Sequence, residues 1–174
     1  EKIKSVLLSR IKHSTKNRIN IINIRNYLFF TFLAYLRSRT DFIKSKLVIA
    51  KTKNNYDENT NYIVINRCDN TIKYIQNDYK TQSTHGMQEH NIDNDTYKYF
   101  IKLYNAYKKL DVLGGYAFYQ SDLSEVMNEN NASKLFHQIG MEILGKSITI
   151  QSLRISYASA PEDIEAIERI EKKY

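Results

Sequence analysis

The beginning of the chain carries apolar residues at the spacing of an α-helix. Over residues 1–12, apolar side chains recur every three or four positions with basic side chains mostly between them, which predicts an amphipathic helix. Over residues 18–36, the apolar positions cover well over half of the helical circumference. A helix that is apolar on most sides is normally buried, so we expect this second helix to be central to the fold.

The middle of the chain changes to a composition and spacing typical of β-strands. Runs rich in β-branched and aromatic residues occur at residues 47–50, 61–66 and 71–76. Residues 67–70 predict a turn between the last two runs, and Gly86 marks a second turn. Residues 87–92 should then form another short antiparallel strand. We therefore predict an α+β fold, mostly helical, with a small three-stranded antiparallel sheet.

Helical spacing returns after the predicted sheet. From residue 97 onward, apolar and aromatic positions repeat at three and four, with Asp93 or Asn94 as the N-cap. Further helices are predicted from a cap at residues 121–124 through residue 127, over 130–143, over 148–159 and from Pro161 onward. The chain holds one proline and five glycines, so no flexible linker divides it. We expect residues 1–174 to form one domain.

The net charge of the chain favours a polyanionic partner. It is +7, from 26 basic and 19 acidic residues, which suits nucleic acid. Cys68 is the only cysteine, which excludes an internal disulfide and a cysteine-based zinc site and fits an intracellular protein. The longest apolar run, residues 27–35, is too short to cross a bilayer, so we expect no membrane partner. The four histidines lack the spacing of metal ligands, so no metal is expected.

Residues 148–159 predict a short amphipathic helix with a candidate functional residue. Ile150, Leu153 and Tyr157 share one face, which should be buried. Arg154 lies beside this face, where packing can hold the side chain while its head stays accessible. A planar guanidinium suits two oxygens of a phosphate better than a lysine does. The alternative is an ordinary amphipathic core helix with a surface arginine.

Three short segments, each with a basic residue, follow one another along the chain. They are Arg39-Thr-Asp-Phe42 after the second helix, Asn77-Asp-Tyr-Lys-Thr81 on the predicted hairpin, and Gln151-Ser-Leu-Arg154 on the helix over 148–159. Their order and spacing, with Gly86 after the second segment, resemble the catalytic domain of the tyrosine recombinases of the phage-integrase type. The resemblance is closest to the divergent versions of large DNA viruses, virophages and related mobile elements. It covers residues 26–174.

This resemblance implies an integrase-type catalytic core and roles for the basic residues. Arg39 and Arg154 would clamp a DNA phosphate, and Lys80 would protonate the leaving 5′-oxygen. The intact enzyme would cleave and rejoin double-stranded DNA through a 3′-phosphotyrosyl link, as a homotetramer and without a metal or other cofactor. Additional DNA contacts are expected from Arg37, Lys51, Lys73 and His85.

Two departures from the family pattern bear on activity. Gln151 stands where the family most often has histidine, and a glutamine can bind a phosphate oxygen but cannot transfer protons. The family's nucleophilic tyrosine follows a further histidine or tryptophan, and too few residues lie between Arg154 and Tyr174 for that arrangement. We therefore expect the chain to be truncated before its nucleophile and inactive alone; Tyr174 as nucleophile is the alternative.

Other interpretations stay open at this point. Arg37 could take the role of Arg39, and Lys80 could be an ordinary solvated lysine. A type IB topoisomerase would use the same clamp but would relax DNA without pairing two sites. Gln151 favours a catalytically inactive DNA-binding protein of the same fold. A basic α+β interaction domain unrelated to DNA would also fit the composition.

Overall fold

The computed structural model of the protein describes residues 2–13, 17–36, 40–50, 56–79, 82–112 and 114–158. The α-helices in these ranges are Lys2–His13 (α1), Asn17–Tyr35 (α2), Gln82–His85 (α3), Tyr97–Lys109 (α4), Glu129–Leu144 (α5) and Ile150–Ala158 (α6). The strands are Lys46–Ile49 (β1), Tyr62–Asn66 (β2), Thr71–Gln76 (β3) and Gln88–Ile92 (β4). Short 3-10 turns occupy Asp41–Lys44 and Asn94–Thr96. The predicted α+β class is confirmed.

Helix α2 lies at the centre of the core, as its apolar circumference predicts. Phe29 and Phe32 on this helix are fully buried. The Phe29 ring contacts Phe118 at a centroid distance of 5.5 Å, and the Phe32 ring contacts Tyr74 of β3 at 5.7 Å and Phe100 of α4 at 5.6 Å. One helix therefore joins the sheet, α4 and the segment after α4 in a single aromatic core, in which edge-to-face ring contacts add to the area buried.

The sheet has four strands in the order β1-β2-β3-β4, so the prediction of a three-stranded antiparallel sheet is wrong. Strands β2, β3 and β4 pair antiparallel, whereas β1 pairs parallel to β2. Residues 50–61 connect β1 to β2, and a connection of about a dozen residues is long enough for a parallel crossover. The outer edge of β1 is partly closed, because Leu47 N donates to the Gly115 carbonyl and Ala117 N to the Ser45 carbonyl.

The helix predicted from residues 121–127 is absent, and a tight hairpin-like loop takes its place. Met127 N donates to the Phe118 carbonyl at 2.9 Å, and Gln120 N donates to the Glu125 carbonyl at 2.9 Å. The Asp122 carboxylate accepts from Ser124 N, a local side-chain bond that competes with helix formation. The cap therefore closes a turn and does not begin a helix.

Helix α5 begins and ends at clear sequence signals. Asn128 and Asn131 form a reciprocal capping box at its start, and Gly145 ends it in the left-handed conformation with φ of 69°. The hairpin turn at Gly86 is also confirmed, with φ of 65°. The helix predicted from Pro161 onward lies outside the described residues.

Candidate functional site

A cleft of about 1020 Å³ opens at the end of the sheet where β2 begins and β3 ends. Four chain segments and Tyr116 line it: residues drawn from 40–44, residues 59–61, residues 78–79 and residues 126–130. Two of these segments continue directly into the motifs singled out by the sequence, because Thr40 follows Arg39 and Tyr79 precedes Lys80. The α5 N-terminus supplies the opposite wall.

A single buried side chain, that of Asn61, joins the two motif segments across the cleft floor. Its Nδ2 donates to the carbonyl oxygens of Asp41 and Asp78, each at 2.9 Å. Its Oδ1 accepts from the backbone nitrogens of Asn77 at 2.7 Å and Asp78 at 2.8 Å. All four hydrogen-bonding positions of the amide are therefore used, and the side chain is only 5% exposed.

Two neighbouring amides extend this connection. Gln76 Nε2 donates to Asp41 Oδ2 at 3.0 Å, and Asn77 Nδ2 donates to the carbonyls of Asp57 and Thr60, both at 3.0 Å. Both Gln76 and Asn77 are almost fully buried. We call Asn61, Gln76 and Asn77 the amide network. Buried hydrogen bonds of this kind rigidify their surroundings, so the amide network should hold the cleft floor in one conformation.

The residues predicted to act in catalysis or to contact DNA lie mostly outside the described residues. Arg37, Arg39, Lys51 and Lys80 fall there, and so does the side chain of Arg154, although its backbone belongs to α6. Gln151 is exposed in the first turn of α6. No described residue of α6 lines the cleft. The convergence of Arg39, Lys80 and Arg154 on one phosphate therefore stays a prediction.

The two remaining predicted DNA contacts lie away from the cleft lining. Lys73 projects from β3, and its Nζ pairs with Glu89 Oε2 on β4 at 2.7 Å. The hydrogen bond that Lys73 Nζ donates to Glu89 raises the pKa of the Lys73 ammonium. His85 is exposed at the end of α3. A DNA phosphate near Lys73 would also be near the Glu89 carboxylate, which weakens the attraction between Lys73 and the phosphate.

The described lining of the cleft contains more acid than base. Asp41, Asp78 and Glu129 contribute carboxylates, and Lys44 is the one cation among the described lining residues. A phosphate could bind here only if further cations faced the cleft. The segments that border it lead to Arg39 and Lys80, which are the nearest candidates along the chain.

Arg25 is a buried cation that the hydrophobic pattern did not predict. It is 1% exposed within α2, and its Nη1 donates to the Tyr119 carbonyl at 2.6 Å while Nε and Nη2 donate to Asn26 Oδ1. Burial lowers the pKa of its guanidinium to about 10. No carboxylate pairs with it among the described residues. Arg25 fastens the loop over residues 118–127, which leads into the α5 wall of the cleft, to the central helix.

Gly140 determines how closely the segment leading to α6 approaches α5. A Cβ at this position would lie 2.7 Å from both Ile148 Cγ1 and the Lys146 carbonyl oxygen, well inside van der Waals contact. Ile148 is buried at this crossing, and α6 begins two residues later. The absence of a side chain at residue 140 therefore allows the crossing that places α6.

We expect Gly140→Ala to lower the free energy of unfolding by about 2 kcal/mol, because backbone must move to accommodate the methyl group. In an unobstructed helix the same change is stabilising by about 1 kcal/mol, so the sign of the effect is diagnostic. Urea unfolding followed by circular dichroism measures it. Gln138→Ala, at an exposed position of the same helix, is the control and should be nearly neutral. A more stable Gly140→Ala variant would contradict the close crossing.

Comparison with models of known protein families, with curated proteins and with solved structures finds no match for this chain. Among the described residues, no helix combines the length and apolar character needed to cross a membrane. In the same part of the chain, no three His, Cys, Asp or Glu side chains lie close enough together to hold a metal ion.

Proposed function

We propose that the chain is the catalytic core of a tyrosine recombinase, in which Arg39, Lys80 and Arg154 hold one DNA phosphodiester at the cleft. The observation that carries this proposal is the pair of hydrogen bonds from Asn61 Nδ2 to the carbonyls of Asp41 and Asp78. These bonds join the backbone of Asp41, in the first motif, to the backbone of Asp78, in the second. The two motifs are about forty positions apart in the sequence.

Covalent geometry limits how far the two cations can lie from the cleft floor. Arg39 precedes Asp41 by two residues and Lys80 follows Asp78 by two, so each Cα lies within about 7.6 Å of a residue held by Asn61. Arginine and lysine side chains extend several ångströms further. Both cationic heads can therefore reach the same cleft, where they would offset the carboxylates of its wall.

The proposed chemistry is a phosphoryl transfer without metal. A tyrosine hydroxyl attacks the phosphorus and gives up its proton to water, a 3′-phosphotyrosyl bond forms, and the bond to the 5′-oxygen breaks. Arg39 and Arg154 stabilise the charge that develops on the non-bridging oxygens. Lys80 donates its proton to the departing 5′-oxygen, and the reverse sequence rejoins the strand.

Removing two of the proposed cations should weaken DNA binding. For Arg39→Gln/Lys80→Gln, we expect the affinity for a 24-base-pair duplex to fall about tenfold or more at 0.1 M salt, and the slope of log K against log[salt] to become shallower by about 1.8. Fluorescence anisotropy over a salt series measures both. Lys12→Gln/Lys146→Gln removes the same charge from α1 and from the residue after Gly145, and should cost much less. Equal losses in the two double variants would contradict the proposal.

Covalent trapping on a nicked duplex separates the proposed enzyme from its nearest rivals. The full-length gene product should form a DNA adduct that survives denaturing electrophoresis. A catalytically inactive binding protein, which Gln151 favours, would bind duplex and trap none. A type IB topoisomerase would relax supercoiled DNA without a requirement for a particular site. A basic domain unrelated to DNA would show no salt-dependent affinity at all.

A further inference from the structure

Helix α4 presents a row of lysines and carries no acidic residue. Lys98, Lys102 and Lys109 are exposed and fall within about 40° of one another around the helix, given 3.6 residues per turn. Lys108 is also exposed, about 100° around the helix from Lys109. We call these four lysines, together with Arg67 of the β2–β3 turn, the α4 basic face.

The cations of this face are not neutralised by carboxylates. Among the described residues, none of the five forms an ion pair, whereas Lys73 pairs with Glu89 and Arg10 with Glu142 elsewhere on the surface. The acids next to these residues in the sequence are Asp69 beside Arg67, Asp93 and Asp95 before α4, and Asp111 after it. Asp69 and Asp93 accept hydrogen bonds from backbone and side-chain groups of their own turns.

The opposite side of α4 is anchored in the core, so the lysine row has a rigid support. Tyr99, Phe100, Leu103 and Tyr107 are buried, and the Tyr99 ring contacts Tyr27 of α2 at 4.9 Å between centroids. Binding an extended partner along the row would therefore require ordering of lysine side chains but not of the helix itself. A preformed helix lowers the entropic cost of such an association.

The Tyr104 ring lies near both Lys108 of α4 and Arg67 of the neighbouring turn. The Arg67 guanidinium and the Lys108 ammonium both lie 6.0 Å from the centroid of its half-buried ring, at the outer limit of a cation–π contact. The ring thus brings a cation from the sheet next to one from the helix. The face therefore extends from the lysine row around the flank of α4 that carries Lys108 to the β2–β3 turn.

We propose that the α4 basic face binds the phosphate backbone of double-stranded DNA, as a second contact surface separate from the cleft. From Lys98 to Lys109 the helix rises about 16 Å, a length over which a duplex carries about nine phosphates. Arg67 and Asn61 flank β2 at opposite ends, about 20 Å apart at the usual rise of a strand. This inference rests on the proposed function only in naming DNA as the partner.

The composition of α4 favours nucleic acid over an anionic membrane. A helix that lies on a bilayer inserts exposed apolar side chains between the lipids. None of the large apolar residues of α4 is exposed; Leu110, just past its end, is the nearest that is. The exposed row consists of lysines and Asn105, which can contact phosphates but cannot insert into lipid.

The test removes two charges from the row without disturbing the helix, since glutamine and lysine have similar helix propensities. For Lys102→Gln/Lys109→Gln, we expect duplex affinity to fall about tenfold or more at 0.1 M salt and the salt slope to become shallower by about 1.8. The control Lys12→Gln/Lys146→Gln should lose much less, and thermal unfolding should be unchanged in both variants. An affinity equal to that of the control would overturn the proposal.

Two further measurements distinguish the proposal for the α4 basic face from the proposal for the cleft and from membrane binding. If Arg39→Gln/Lys80→Gln binds like the control while Lys102→Gln/Lys109→Gln does not, the cleft proposal fails and the α4 basic face stands. The opposite pattern removes the α4 basic face and leaves the cleft. The second measurement is sedimentation with phosphatidylserine vesicles. If Lys102→Gln/Lys109→Gln lost vesicle binding but kept its DNA affinity, the α4 basic face would be a membrane-binding surface.

Discussion

Asn61→Ala is expected to lower the free energy of unfolding by about 3 kcal/mol, since it leaves two carbonyl and two N–H groups of the buried cleft floor without their partner. Urea unfolding measures the change. Asn66→Ala, at the other end of β2, is the matched control. Asn66 is half-buried and forms two hydrogen bonds within an exposed turn, so its loss should cost less than about 1 kcal/mol.

The same variant tests whether Asn61 positions the proposed site. At a temperature where Asn61→Ala remains folded, we expect its duplex affinity to fall and its salt slope to become shallower, because the segments leading to Arg39 and Lys80 are no longer joined. Asn66→Ala should bind as the wild type does. A destabilised Asn61→Ala with unchanged salt slope would mean that the amide network is structural only and does not position DNA-binding cations.

Lys80→Ala is expected to slow strand cleavage by about 10²- to 10⁴-fold in the full-length gene product, the usual contribution of a general acid. The 5′-oxygen is a poor leaving group unless it is protonated. In a substrate with sulfur in place of that oxygen, the sulfur leaves as a stable thiolate and needs no proton. Such a substrate should therefore restore most of the lost rate. Single-turnover cleavage of the two substrates, followed on denaturing gels, measures the effect.

The control for this experiment is the described lysine of the cleft wall, Lys44. Lys44→Ala removes one positive charge from the same cleft, and we expect a smaller loss of rate that the sulfur substrate does not restore. If Lys80→Ala were equally slow on both substrates, Lys80 would be a phosphate contact and not the acid. If it cleaved at the wild-type rate, the assignment from Asn77-Asp-Tyr-Lys-Thr81 would be wrong.

Much of the helical structure follows from local sequence. The apolar spacing predicts α1, α2, α4, α5 and α6 to within a few residues, because one helical face must be removed from water wherever these helices pack. The caps are local as well: Asp93 accepts from Asp95 N and caps the 3-10 turn over Asn94–Thr96 that leads into α4, whose own N-cap is Thr96. Such contacts involve residues within one turn and do not depend on the rest of the chain.

The errors concern contacts between distant segments. The β-rich composition of residues 47–50 is visible in the sequence, but nothing in it gives a strand its direction, and β1 runs parallel to β2. The polar cap at residues 121–124 begins a turn because Asp122 bonds locally and Phe118 pairs with Met127. Arg25 interrupts an apolar run, and only the position of the Tyr119 carbonyl explains its burial.

The sequence by itself determined α1, α2, α4, α5 and α6, the two hairpin turns and the excess of positive charge, since each depends on residues close in the sequence or on composition. Only the tertiary structure decided that the segments before β1 and after β3 meet at Asn61, and that Lys108 of α4 lies near Arg67 at the Tyr104 ring. Both results arise from contacts between residues far apart in the chain. A sequence pattern carries no distances of that kind, because they are set by how the core packs as a whole.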